Sequence, residues 1–329
     1  MNTPLAPGRP PLLSVIMPAY RSAATIGGAI DSILRQTFFD FELLVIYDES
    51  PDDTVAILRE YAARDQRIRL IHNQLPPGAW RKMVSAMNLG MTNARGQFLA
   101  RMDADDIAVP NRFAMQLDFL ARNPDVDLCG TWVVLFDEAA REIGRLTPAC
   151  GAERIRILSY YAAPLIHPTW MMRRELFEQL GGYRDMTAED YDFLLRALDA
   201  GFGLDNCPEF GLFYRQQPSH RAFVPSHRSG NYALQMRNRR RRGQPDDFDP
   251  EIARRLGQEC GWLEERGRGL LEYGFALMRR HRAVGYATVG LALLLLPESL
   301  WLAFRKLVVG VRLALHNSRH RLLDDDASP

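Results

Sequence analysis

The amino-acid sequence predicts an α/β fold, with a mostly parallel sheet flanked by helices and a helical extension at the C-terminus. Three observations carry that reading. Short continuous apolar runs alternate with amphipathic helical patterns over the first part of the chain, as expected of consecutive βαβ units. Acidic loops follow two of those runs, at Asp48 and Asp103, where the carboxyl ends of parallel strands gather ligands. From about Asn231 the character changes to a basic run and then to helical patterns.

Leu12 to Met17 is a continuous apolar run ending at Pro18, which suits a strand buried on both faces. Ile26, Ile30, Ile33 and Leu34 then recur at helical spacing, so this segment packs back on the strand. Leu43 to Ile46 is the second run, and beyond its acidic loop Val55, Leu58 and Ala62 mark another amphipathic helix. Ile68 to Ile71 is the third strand, followed by a helix from about Ala79 to Ala94. The fourth strand, Gln97 to Met102, runs into Asp103-Ala104-Asp105-Asp106. From about Arg122 to Tyr214 the pattern is less regular, with strands expected at Leu128 to Phe136 and Leu165 to Met172, and a helix at Asp190 to Ala200.

Residues 1–230 are therefore expected to form one α/β domain, and residues 231–329 a helical region. That region opens with Arg237, Arg239, Arg240, Arg241 and Arg242. The apolar run Val284 to Leu296 is stopped by Pro297-Glu298 and is too short for a spanning helix of about 20 apolar residues. Beyond it Leu300, Trp301, Phe304, Leu307, Val308, Val311 and Leu315 share a helical face interspersed with Arg305, Lys306 and Arg312. Such a face suits an interfacial membrane helix, or equally a helix packed on the catalytic domain or on a partner chain.

A chain of 329 residues can bury a sizeable core. Hydrophobic residues at 47% and charged residues at 25% exclude global disorder. A formal net charge of +1 gives no general case for nucleic-acid binding. Cys129, Cys150, Cys207 and Cys260 are widely spaced, which suggests neither a zinc knuckle nor a disulfide framework and fits a reducing cytosol. Prolines interrupt the N-terminal segment where a signal peptide would need a helical apolar stretch. A cytoplasmic location is expected, with peripheral attachment to the cytoplasmic membrane face if the C-terminal helices meet lipid.

Asp103-x-Asp105 sits directly after an apolar strand. Two carboxylates at that spacing on a turn can converge on one hard cation, Mg²⁺ or Mn²⁺, leaving positions open for phosphate oxygens. The same acids could instead serve as simple helix-start caps, so the neighbouring motifs decide.

Those motifs occur in order: Ser14-Val15-Ile16-Met17-Pro18-Ala19-Tyr20, Leu44-Val45-Ile46-Tyr47-Asp48-Glu49-Ser50-Pro51-Asp52-Asp53-Thr54, and Ala100-Arg101-Met102-Asp103-Ala104-Asp105-Asp106. His167-Pro168-Thr169, Gly181-Gly182-Tyr183 and Ala188-Glu189-Asp190-Tyr191-Asp192 follow. Together they resemble the family 2 glycosyltransferases of the GT-A fold over about the first two-thirds of the chain. The resemblance implies a Rossmann-like GT-A sheet and an inverting transferase using a nucleotide-diphospho-sugar, with a UDP-sugar as the leading choice, and Mn²⁺ or Mg²⁺. It also implies a saccharide or lipid-linked saccharide acceptor, and bacterial cell-surface polysaccharide or glycolipid synthesis as the setting.

Carried over residue by residue, Pro18, Ala19 and Tyr20 form the first loop under the nucleoside. Asp48 reads the nucleobase by accepting a ring N–H, unless it is a helix-start acid, a role for which Asp52 and Asp53 are better placed. Asp103 and Asp105 hold the metal, and Asp190 is the base that deprotonates the acceptor hydroxyl. Glu189 and His167 are placed on the acceptor side, formed by the less regular second half. Arg215 could fork onto diphosphate oxygens, as guanidinium geometry allows.

Three departures from the family pattern stand out. Tyr47-Asp48-Glu49 replaces the usual Asp-Asp-Gly. Met87 precedes the Asn88-x-Gly90 motif where many relatives carry an arginine, so Arg81 or Lys82 is expected to supply that donor-side charge. Tyr214-Arg215-Gln216-Gln217 lacks the usual metal histidine, for which His220 is the candidate. Two other functions compete: a nucleotidyltransferase, disfavoured because Pro18-Ala19-Tyr20-Arg21-Ser22 is not a glycine-rich phosphate loop, and a non-catalytic nucleotide-sugar-binding module.

Overall fold

The structure, a computed structural model, describes residues 9–74, 82–160, 162–216 and 227–258. Residues 1–254 belong to one compact unit; of a second, 255–329, residues 255–258 at the end of a helix are described.

Strands β1 (Leu13–Ala19), β2 (Phe41–Tyr47), β3 (Ile68–His72) and β4 (Phe98–Arg101) lie parallel in the spatial order β3-β2-β1-β4. β1 and β2 are buried along nearly their whole length, because helices cover both faces, and this is why they read as unbroken apolar runs. The strand period of two divides β1 between two cores. Leu13, Val15 and Met17 join Ile26, Ile30 and Ile33 of α1 (Ile26–Leu34) in one apolar cluster. Ile16 joins Val84, Met87 and Met91 of α3 (Lys82–Asn93) in the other. Each such side chain, fully buried, contributes roughly 1.5–3 kcal/mol. Gly90 lets α3 approach the sheet, since a Cβ there would stand 2.6 Å from the Ile16 and Ile46 side chains. Between β2 and β3 lies α2 (Thr54–Arg64), with Leu58 buried. The helix expected from Ala79 is described from Lys82 onward, its first residues lying outside the described ones.

The second half adds β5 (Ile107–Ala108), α4 (Arg112–Arg122), β6 (Leu128–Phe136), β7 (Glu142–Leu146), α5 (Ala152–Leu158), β8 (Met171–Arg173), α6 (Arg174–Leu180), α7 (Glu189–Asp199) and β9 (Leu204–Arg215). The sheet continues β4-β8-β6-β9-β5, with β7 paired to β6. β8 is antiparallel to both β4 and β6, whereas β6 and β9 are parallel. β6 and α7 match the expected strand and helix to within one residue.

The strand expected over Leu165 to Met172 is a correction. Its middle is a 3₁₀ turn at His167–Thr169, closed by the Thr169 N–H on the Ile166 carbonyl at 3.0 Å and the Trp170 N–H on the His167 carbonyl at 3.2 Å. Pro168 has no N–H to give a ladder, and the strand is reduced to Met171–Arg173.

The basic run belongs to a packed helix. It lies on α8 (His227–Arg241), which packs on α7 and buries Tyr232, Leu234 and Met236. Arg237 is buried and pairs with Asp199, as does Arg240, and Arg239 pairs with Asp247. Three arginines of the run, Arg237, Arg239 and Arg240, are thus in ion pairs, with Asp199 on α7 and with Asp247 just beyond α8. The compact unit runs past 230 to 254 and includes α8 and most of α9 (Pro250–Gln258). Among the described residues no helix is long and apolar enough to cross a membrane. The amphipathic pattern expected over 284–315 lies outside the described residues.

Candidate active site

The carboxyl ends of β1, β2 and β4 open onto a cleft of about 560 Å³. Pro18, Ala19 and Tyr20 at the end of β1, Asp48 after β2, and Asp103 and Asp105 after β4 all line it. Successive parallel β-loop-α units deliver their loops to the same sheet edge, which is what brings these distant residues together.

Asp48 is buried and accepts a hydrogen bond from Asn73 Nδ2 at 3.0 Å; Asn73 Oδ1 in turn accepts from Ser85 Oγ at 3.0 Å. It does not cap α2. α2 has no side-chain cap; Asp52, just before it, accepts from Thr54 Oγ1 at 2.7 Å through Oδ1 and from the Ala23 N–H at 3.1 Å through Oδ2. Asp52 thereby ties the loops after β1 and β2 together around the cleft. Tyr47 stacks on His72 with ring centroids 5.1 Å apart.

The acidic turn supplies three carboxylates. One oxygen each from Asp103, Asp105 and Asp106 lies within 4.8 Å of the others. Asp106 is fully buried; its Oδ1 accepts the Arg215 N–H at 2.8 Å, and its Oδ2 has no hydrogen-bond partner among the described residues. Burial, then the charges of Asp103 and Asp105, push its pKa well above the ordinary carboxylate value. An all-oxygen donor set with an orphaned buried carboxylate oxygen fits a hard divalent cation.

Arg101 lies against the acidic turn. Its guanidinium forks onto Asp103, with Nη1 to Oδ2 at 2.9 Å and Nη2 to Oδ1 at 2.7 Å. Burial works against that charge, yet Asp103 holds the Arg101 pKa above its usual value. Behind it, buried Arg112 donates Nη2 to the Arg101 carbonyl at 2.8 Å and the Pro168 carbonyl at 3.0 Å, which fixes β4 against the His167 turn. Burial lowers its pKa to about 10. Neither arginine was assigned a role from sequence, although Arg101 ends an apolar strand where a buried cation needs an acid partner.

His167 is buried, with Nε2 3.1 Å from the Tyr183 hydroxyl and its ring 4.4 Å from that of Trp170. Burial, then the Arg101 charge, keep its pKa well below 6.5. Its ring packs inside the protein between Trp170 and Tyr183. Burial pushes the Tyr183 pKa up, with Asp190 and Glu189 at the start of α7 adding to the effect. Arg101 is thus bonded to Asp103 and its charge reaches His167, while His167 meets Tyr183, on which the charges of Asp190 and Glu189 act. Arg215 does reach the acid turn, donating Nε to the Asp105 carbonyl at 2.9 Å, with its guanidinium 4.5 Å from the Phe136 ring centroid. Met87 is fully buried in the apolar core, while Met83 and Ala86 line the cleft. Arg81, the Lys82 side chain and His220 lie outside the described residues.

The glycosyl transferase family 2 profile matches residues 14–181. EpsE of Bacillus subtilis, which carries a glycosyltransferase name, is 32% identical over 68% of this chain and 78% of its own length. The O-antigen biosynthesis glycosyltransferase WbnJ of Escherichia coli is 30% identical over 62% and 79%. WfgD of Escherichia coli, a UDP-Glc:alpha-D-GlcNAc-diphosphoundecaprenol beta-1,3-glucosyltransferase, is 36% identical over 38% and 47%. Among solved structures, S. aureus TarS 1-349 with UDP-GlcNAc aligns over 87% of this chain and 82% of that one, with a TM-score of 0.55 and 18% identity. The mannosyltransferase PcManGT of Pyrobaculum calidifontis with GDP-Man and Mn²⁺ aligns over 94% and 82%, with a TM-score of 0.51 and 18% identity. These likenesses show the GT-A fold, and the nucleotidyltransferase and non-catalytic readings give way: the chain belongs to glycosyl transferase family 2.

Proposed function

We propose that this glycosyltransferase moves a sugar from a UDP-sugar to a hydroxyl of a saccharide or lipid-linked saccharide acceptor, with inversion at the anomeric carbon, in the synthesis of a cell-surface polysaccharide or glycolipid. One observation carries the reading: six of the nine residues assigned to nucleotide sugar or metal, Pro18, Ala19, Tyr20, Asp48, Asp103 and Asp105, line one cavity, and the last two belong to a cluster of three carboxylates. The loop of Pro18, Ala19 and Tyr20 packs under the nucleoside. Asp48, held by Asn73, offers its carboxylate to the imide N–H of uracil. Asp103, Asp105 and Asp106 would hold Mn²⁺ or Mg²⁺, which when bound supplies positive charge to a departing diphosphate. Asp190 takes the acceptor's proton as the acceptor oxygen bonds to the anomeric carbon and the bond to the diphosphate oxygen breaks. Neutral His167, fixed by Tyr183, shapes the wall beside that acceptor. The O-antigen biosynthesis named for WbnJ and the diphosphoundecaprenol acceptor named for WfgD support a surface-polysaccharide setting and a lipid-linked acceptor.

The test is calorimetric binding of UDP, GDP, CDP and dTDP with and without Mn²⁺, followed by NMR of the anomeric configuration of any product. UDP binding that requires Mn²⁺ and disappears in Asp105→Ala is the expected result. Equal binding of all four diphosphates would remove the base-reading role from Asp48, and a retained configuration would remove Asp190 from the base position.

A further inference from the structure

A second cleft, of about 520 Å³, lies at the end of α7 remote from Asp190, and among the described residues Arg156, Arg196, Arg237, Arg240 and Arg241 line it with a single carboxylate, Asp199. The charges of these described residues do not balance. Arg196 is committed to Asp192 at 2.8 Å and to the Leu180 and Gly182 carbonyls. Asp199 is divided, with Oδ1 accepting from Arg237 at 3.2 Å and Oδ2 from Arg240 at 2.8 Å. Asp246 is divided too, between Arg184 at 2.7 Å and Arg240 at 2.8 Å. Four guanidinium groups, of Arg184, Arg196, Arg237 and Arg240, therefore meet three carboxylates, of Asp192, Asp199 and Asp246. Arg240 Nη2 is buried with no hydrogen-bond partner among the described residues. At the rim, Arg241 is exposed beside the Tyr160 ring, and Arg156 is exposed with a surface partner in Glu153.

A group that supplies acceptor oxygens and negative charge would satisfy Arg240 Nη2 and offset the surplus cation. Guanidinium forks match phosphate in both respects. We infer that this cleft binds a phosphate ester, such as the headgroup of an anionic lipid or a small soluble phosphate, at a site separate from the sugar-nucleotide cleft. The inference does not depend on the choice of donor or on the role of Asp190. For a lipid, the site would hold the enzyme on an anionic surface at the far end of the helix that carries Asp190.

The experiment uses the full chain, floated with phosphatidylcholine vesicles with or without phosphatidylglycerol, and in parallel melted with and without glycerol 3-phosphate. The variants are R156Q/R241Q, which changes exposed side chains, and R240Q, which removes the unpartnered nitrogen. Phosphatidylglycerol-dependent flotation that falls about tenfold in R156Q/R241Q, with UDP binding unchanged, assigns the site to a lipid headgroup. No flotation, but stabilisation by glycerol 3-phosphate that R156Q/R241Q loses, assigns it to a soluble phosphate ester. A wild-type chain that responds to neither, or a response that R156Q/R241Q retains in full, overturns the inference. Failure of R240Q to fold would leave that comparison intact.

Discussion

Two buried residues have consequences that can be measured directly. Arg101 pairs with Asp103, so a divalent cation must share that carboxylate with a guanidinium bonded to both its oxygens. Removing the guanidinium charge should tighten Mn²⁺ binding by about tenfold, since like charges a few ångströms apart repel strongly in a partly buried site. The R101Q variant should also lose roughly 3 kcal/mol of stability without metal, from the broken buried pair. Calorimetric titration with Mn²⁺ checks the first effect, and unaltered or weaker affinity would show that Arg101 orients Asp103 more than it competes for it. His167 supplies a pH dependence. Its folded pKa lies well below 6.5, so the unfolded chain takes up a proton that the folded chain refuses. Stability from this group is complete above about pH 6.5 and is lost as pH falls toward the folded pKa, by up to about 1.4 kcal/mol per pH unit. His167→Gln should flatten that acid-side slope in urea midpoints; an identical slope would mean that other groups set it. Asp48, Asp103 and Asp105 were legible in sequence because each follows an apolar strand. The burial of Asp106 was not, since its partner Arg215 arrives from 109 residues later.

The elements of the first half could be read because parallel strands covered on both faces are unbroken apolar runs, and their helices carry one apolar stripe. The second half could not be read as fully. β9 runs for 12 residues, but Pro208 and Glu209 interrupt its apolar pattern, and it is accommodated by register shifts opposite Thr131, Trp132 and Val133. The strand drawn through His167 failed because a buried turn is as apolar as a buried strand. Asn88 shows how the halves are joined at this scale. From α3 its Nδ2 donates to the Tyr183 carbonyl at 2.8 Å and its Oδ1 accepts the Tyr183 N–H at 2.8 Å. The turn it grips needs glycine: Gly182 has φ +91°, and a Cβ there would lie 2.7 Å from Asn88 Oδ1. Asn88→Ala leaves both backbone groups of Tyr183 unpaired and should cost about 2–3 kcal/mol. Asn88→Asp keeps the acceptor but sets a carboxylate oxygen against the Tyr183 carbonyl oxygen, so it should cost at least as much as alanine. Chemical denaturation of the pair tests this, and a near-wild-type Asn88→Asp would mean that the Nδ2 hydrogen bond carries no weight.

At the scale of the molecule, composition and packing divide the chain differently. Arginine content and the onset of helical patterns suggested a boundary at 230, but the compact unit extends to 254. Composition misleads here because α8 meets the rest of the unit through ion pairs as well as apolar contacts, and its aspartate partners lie on other segments. Ending the chain at residue 230 would remove Tyr232, Leu234 and Met236, all buried. At roughly 1.5–3 kcal/mol each, that loss alone approaches the 5–15 kcal/mol net stability of a typical domain. It would also strip Asp199 of Arg237 and Arg240 and leave Ser159 Oγ without the Arg237 Nη1 it accepts from. A chain ending at 230 should therefore fail to fold, whereas one ending at 258 should unfold in a single cooperative transition and bind UDP as the full chain does. Circular dichroism melts and limited proteolysis of the two truncations decide the matter. A folded, UDP-binding chain ending at 230 would show that α8 is an accessory to the glycosyltransferase unit and not part of it.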